Sequence, residues 1–196
     1  MVYCEMMNLL AAVKGRVYDK EPGGLLLKVG DFILRILCDS STIEKTFPGD
    51  EIELHTHLEF NQNEFILYGF STKEKLYVFE KILKVSKIGP KTALRIVGSL
   101  EPEEFVHLVT SQNVDKLSQI QGVGKKTAER LVAELKDESF DIQAKYSAEL
   151  FDAIEALVAL GFSRAESIDV ARAVYSGKMS TEQIVKEALK RLSKKG

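Results

Sequence analysis

The chain has 196 residues, 45% of them hydrophobic and 29% charged, with a formal net charge of −2. This composition describes a folded globular protein with room for two or three small domains, and it excludes a disordered or wholly basic chain, so any surface for a polyanion has to be local. Two cysteines, Cys4 and Cys38, without Cys-x-x-Cys spacing, argue against a disulfide framework or a zinc site and suit a reducing, cytoplasmic setting.

Residues 1–8 read as an extension. Glu5 and Asn8 interrupt its apolar stretch and no basic segment precedes it, which speaks against a signal peptide or a membrane span. Residues 9–71 are strand-like: LLAAVKGRVYD, LLLKV, FILRILC, EIELHTHLE and EFILYGF predict five short strands and a small barrel, with turns at Gly30-Asp31 and at Asn61-Gln62-Asn63. In the fourth, Ile52, Leu54, Thr56 and Leu58 alternate with Glu51, Glu53, His55, His57 and Glu59, predicting one buried and one solvated face. His55 and His57 share the second face but lack a third ligand at a recognisable spacing, so a metal there is not expected.

From 72 to 137 the apolar spacing turns helical, and the chain says one thing twice. The run IGPKTALRIVGSL beginning at Ile88 returns as VGKKTAERLVAEL beginning at Val123, a step of 35 residues from Gly89 to Gly124. Each copy predicts a tight turn opening a helix whose first N–H groups lack internal partners and whose dipole favours an anion. Lys91, Lys125 and Lys126 place ammonium groups in the first turn, against the dipole, and no Ser, Thr, Asp or Asn caps the helix. Ordinary helix starts explain this pairing less well than two phosphate grips on one extended polyanion, nucleic acid.

Residues 138–147 are polar and without sustained period, and read as a linker. Residues 148–196 predict three short helices, with Gly161 and Gly177 as stop signals and Ser180 and Gln183 forming a capping box. The basic tail with Lys190, Arg191, Lys194 and Lys195 is what a helix C-terminus favours in any case.

In this order the pieces make a multidomain α+β chain: a five-stranded barrel, an all-helical domain with two hairpin turns, and a three-helix module. LYGF at Leu67–Phe70, the doubled hairpin, GVGKKTAERLVAELKD from Gly122 and ALVALGF from Ala156 together resemble the RuvA family, over nearly the whole chain after Asn8. The resemblance implies an OB-fold barrel, tandem helix-hairpin-helix motifs and a UBA-like C-terminal bundle. It implies a homotetramer, or an octamer of two facing tetramers, that holds a four-way Holliday junction open and planar in recombination and repair. Lys87, Ile88, Gly89, Lys91 and Thr92 of the first hairpin would meet DNA phosphates, as would Gly122, Val123, Gly124, Lys125, Lys126, Thr127 and Arg130 of the second. Such contacts position a protein without identifying bases. The partners implied are the hexameric RuvB ATPase, docked on the C-terminal module through Leu157, Leu160 and Phe162, and the RuvC resolvase. No cofactor is implied.

Two positions depart from the family pattern. An acidic pin between the last two barrel strands normally carries two carboxylates at its tip, whereas this tip reads Gln62-Asn63, with Glu59 and Glu64 flanking it. Lys87 stands where the first hairpin more often has glycine, so this turn is expected to be looser than its twin.

Other functions fit less well. Helix-hairpin-helix DNA glycosylases place a nucleophilic lysine where Lys126 stands, with Asp137 or Asp141 as the downstream carboxylate, but Lys91 repeats the same lysine and no base pocket is evident. A generic duplex binder is the other alternative. The phosphate-loop pattern fails, since Gly124-Lys125 is followed by Lys126 and position 119 is Gln119, so ATP chemistry has to come from a partner.

Overall fold

A computed structural model of the chain describes residues 9–60, 64–138, 140, 148–176 and 179–192. It divides into two compact units, residues 1–140 and 141–196. The tip residues Gln62 and Asn63, most of the expected linker and Gly177 lie outside the described residues.

In the first unit, β1 (Ala12–Glu21), β2 (Gly24–Val29), β3 (Phe32–Cys38), β4 (Glu51–Phe60) and β5 (Phe65–Phe70) close a barrel in the order β1-β2-β3-β5-β4. All neighbours are antiparallel except β3 and β5, which run parallel at Leu37–Tyr68 and Cys38–Gly69. The register shifts between Val17 and Asp19, a bulge that adds the local twist closure needs. Val13, Val17, Leu25, Leu27, Ile36 and Leu54 fill the interior; in β4, Leu54 and Thr56 are buried as the alternation predicts, and Ile52 and Leu58 are half-buried. The outward face of β4 is not wholly solvated: a helix covers His57, whose Nδ1 lies 3.1 Å from Glu80 and whose ring meets Phe79 edge-on.

That helix is α2 (Lys73–Leu83), which follows β5; between β3 and β4 lies α1 (Ser40–Glu44), a five-residue helix too short for its periodicity to be read from sequence. Between them sits a buried ion pair. Asp39 caps α1, accepting from the Thr42 N–H at 3.1 Å, the Thr42 hydroxyl at 2.5 Å and the Ser41 hydroxyl at 2.7 Å, while Lys75 of α2 donates to its Oδ1 at 3.0 Å and also reaches Ser41 Oγ. Asp39 is 1% exposed and Lys75 5%, so each charge depends on the other and on these hydroxyls. Beside them burial, with the Asp39 charge adding, pushes the Cys38 thiol up to about 12, so it stays protonated and unreactive.

The chain continues through α3 (Pro90–Ser99), α4 (Pro102–Thr110), α5 (Val114–Ser118) and α6 (Lys125–Leu135). α3 lies close to α1: a Cβ placed at Gly98 would come within 2.7 Å of Ser40 Oγ and 3.0 Å of Ser40 N. Only glycine allows that approach. The repeat is also a repeat of the core, since Ala93 and Val97 of α3 and Ala128 and Val132 of α6 are buried at matching positions.

The second unit packs α7 (Ala148–Ala159), α8 (Arg164–Val174) and α9 (Thr181–Leu192) around Leu150, Ile154, Leu157, Ala171 and Ile184. The expected capping box forms at α9: Gln183 N–H donates to Ser180 Oγ at 3.3 Å, and Ser180 N–H to Gln183 Oε1 at 3.0 Å. No helix among the described residues is long and apolar enough to cross a membrane.

Lys75→Met leaves Asp39 buried without its counter-charge. It is expected to cost about 3–5 kcal/mol, read as a lowered midpoint in urea unfolding of the full chain.

Candidate nucleic-acid interface

Each hairpin is built by a pair of apolar anchors around a tight turn. In the first, the Ile88 N–H donates to Val85 O at 3.2 Å; in the second, the Val123 N–H donates to Ile120 O at 2.9 Å. All four anchors are buried, so Ile88 and Val123 can face a ligand only through their backbones. The third residue of each turn takes a positive φ, 83° at Gly122 and 60° at Lys87. Lys87 therefore adopts the left-handed conformation of its glycine twin. The hydrogen bond closing its turn is longer by a few tenths of an ångström, which is the extent of the looseness the sequence suggests.

Gly89 (φ −96°, ψ 170°) and Gly124 (φ −80°, ψ 166°) then cap α3 and α6, with no side chain bonding the first-turn N–H groups. Neither dihedral pair requires glycine, and a Cβ added at either position would meet nothing within 4 Å. The fold gives no reason for glycine at these two caps; a ligand drawn against the backbone from outside does. The first hairpin has Pro90 where the second has Lys125, so it offers one N–H fewer.

The two motifs are locked reciprocally. Glu134 of α6 reaches the first turn, accepting from Ser86 Oγ at 2.6 Å and from the Ser86 N–H at 3.1 Å. The Ser86 hydroxyl, then its N–H, hold the Glu134 carboxyl below its ordinary value, with the Arg130 charge assisting. In the other direction Arg95 of α3 lies over the second turn, where a Cβ at Gly122 would fall 2.4 Å from Arg95 Nη1.

Lys87, Lys91, Arg95, Lys125 and Lys126 are exposed and have no ion-pair partner among the described residues, whereas Thr92, Thr127 and Arg130 are half-buried. Five cations without an ion-pair partner among the described residues thus stand in the two turns and the helices they open. Arg95 was absent from the sequence-based site; the sign that it differs from Arg130 is four residues on, where Ser99 stands in place of Glu134. A cleft of about 400 Å³ beside α3 is lined by Lys91 and Arg95 but not by Lys126, the glycosylase-like lysine.

At the barrel hairpin, Glu59 accepts the Tyr68 hydroxyl at 3.0 Å, and burial followed by this carboxylate pushes the Tyr68 phenol up. Glu64 is exposed. Phe60 and Phe65, an exposed aromatic pair 4.6 Å apart between ring centroids, precede and follow the tip.

The C-terminal trio separates. Leu157 is 0% exposed and belongs to the core of the second unit, so its assignment to an apolar contact patch is corrected. Phe162 is half-buried against that core, and Leu160, 60% exposed, is the member left on the surface.

A closed five-strand barrel packed on two interlocked helix-hairpin-helix motifs defines the class. Its helical part, residues 79–137, matches the SAM-like helix-hairpin-helix tandem family. Residues 10–69 match the RuvA N-terminal domain and residues 149–193 the RuvA C-terminal domain. Over 188 residues the chain is 39% identical to a Holliday junction branch migration complex subunit RuvA of Thermotoga petrophila, covering 95% of this chain and 100% of that protein. The protein of the same description from Coxiella burnetii is 35% identical over 196 residues, covering 94% and 98%. The chain belongs to the RuvA family.

Two outcomes test this geometry. Lys87→Gly relieves the left-handed lysine and should stabilise the chain by about 1 kcal/mol in urea unfolding, while weakening any polyanion contact. Glu134 is a depressed carboxylate, so its contribution is present above its unfolded pKa and is lost as pH falls through the folded value. The melting-temperature difference between the unmodified chain and Glu134→Gln should therefore shrink as pH drops from neutral to below about 4.

Proposed function

We propose that the chain binds four-way Holliday-junction DNA without sequence preference, and serves as the non-catalytic DNA-binding subunit of a branch-migration complex whose ATPase is a separate RuvB ring. The observation that carries this reading is the pair of glycine caps, Gly89 and Gly124. Glycine is unneeded there by the fold, opens each helix start to a phosphate, and recurs beside unpaired lysines. Phosphate grips read no bases, and a junction that moves must be held by contacts indifferent to the base pairs passing through.

A net charge of −2 is ill suited to holding DNA with one copy, but a symmetric homotetramer gathers four cationic hairpin faces onto one side. Exposed Tyr18, Phe32, Ile33 and Phe47 on and beside the barrel supply apolar surface for such self-association. Glu59 and Glu64 put negative charge at the base of the barrel hairpin, where it would repel phosphates near the junction centre. The C-terminal unit, with Leu160 on its surface, is the docking module for the motor.

The test compares binding to an immobile four-way junction with binding to a linear duplex of the same arms, across salt, with the mass of the assembly measured alongside. A tetramer with strong junction preference is expected; equal affinity for both DNAs would leave a generic duplex binder. Gly89→Ser and Gly124→Ser sharpen it. Serine is a better N-cap than glycine, so melting temperature should hold or rise, while the added side chain blocks phosphate approach and weakens junction binding. Undiminished binding by the double variant would overturn the phosphate grip.

A further inference from the structure

Resting on the junction-binding reading, we infer that Arg95 is a phosphate ligand of the second hairpin, supplied by the helix of the first. In sequence the two arginines are equivalent, each following its capping glycine by six residues. In the structure they have different surroundings. Arg130 is half-buried, and its charge assists in holding down the carboxyl of Glu134, four residues along its own helix, which in turn holds Ser86 of the first turn.

Arg95 has Ser99 at the corresponding place, and the Ser99 hydroxyl bonds back to the Arg95 carbonyl at 2.8 Å, leaving the guanidinium alone. No carboxylate pairs with Arg95 among the described residues. The side chain is exposed and lies across Gly122, the positive-φ residue two before the Gly124 cap. Gly122 is thus constrained twice, by φ and by the guanidinium above it.

An anion at the α6 start would meet the cap backbone on one side and this guanidinium on the other. The planar fork of arginine suits a phosphodiester, whose two unesterified oxygens can each accept an N–H. Access is open: the cleft bounded by Pro22, Gly23, Ser40, Lys91 and Gln121 has Arg95 in its wall, so the cation is not packed away. Lys91 and Arg95 stand on one helix and Lys125 and Lys126 on the other, with Arg95 reaching from the first motif to the turn of the second. The site takes a backbone phosphate, so its contribution depends on salt and not on base sequence.

The experiment titrates the full chain and its Arg95→Ala, Arg95→Lys and Arg130→Ala variants with a four-way junction and with a duplex, between about 50 and 200 mM salt. Arg95→Ala is expected to weaken binding about tenfold and to lower the salt slope by about one, with the melting temperature unchanged because the side chain makes no internal pair. Arg95→Lys keeps the slope. An Arg95→Ala slope equal to that of the unmodified chain, or a loss carried by Arg130 alone, overturns the assignment. So does an Arg95→Ala effect that changes when A·T pairs in the arms are replaced by G·C, since that ligand would be a groove edge. If the unmodified chain shows no junction preference, the broader reading fails, and the slopes measured on duplex still decide the role of Arg95.

Discussion

The aim of both hairpins depends on one buried carboxylate. Asp39 ends the third barrel strand, caps the short helix that follows, and receives the ammonium of Lys75 from the first long helix of the hairpin region. A buried ion pair adds little net stability compared with apolar packing, but it tolerates little displacement, because moving either partner exposes an uncompensated charge to low dielectric. Packing of Phe79 on Phe70 and Tyr68, with ring centroids 4.7 and 5.2 Å apart, supplies the adhesive area. The ion pair supplies the register. The barrel and the hairpin helices consequently form a single unit, although the sequence reads as two domains joined end to end.

Within the helical region, duplication and divergence have separate consequences. What is held in common between the copies is what builds the turn: buried apolar anchors, a left-handed third residue, a glycine cap and a buried alanine one turn into the helix. What differs divides labour. Pro90 removes a donor that Lys125 retains, and Glu134 exists only in the second copy, where it ties the turn of the first.

Much of this was legible in the chain. Alternation marked the fourth strand and strand-like runs between turns the other four, and the repeat located both hairpins because turn and helix returned together. Three things were not legible. The helices at 40–44 and 114–118 are shorter than two turns, so no period could show, although Asp39 and Asn113 are recognisable caps with hindsight. The partnership of Asp39 with Lys75 spans 36 residues and leaves no periodic trace. Leu157 and Leu160 share an apolar run in which composition cannot distinguish core from surface, and only the packing of three helices sends one inward and leaves the other in water. His57 belongs to the same class of misreading: the strand pattern marks its face as outward, and a helix from elsewhere in the chain covers it.

Gly98 shows how far from a site its geometry can be set. The residue touches no ligand surface; it lies near the C-terminal end of the helix that Gly89 opens, pressed against Ser40 of the short helix α1. A side chain there would act as a wedge against Ser40 and shift the helix that carries Lys91 and the capping glycine. A variant at this position would look like a binding defect in any assay, with every contact residue intact and its chemistry unaltered. A damaging substitution in this protein is therefore to be read first for what it does to the angle of a helix, and only then for its distance from DNA.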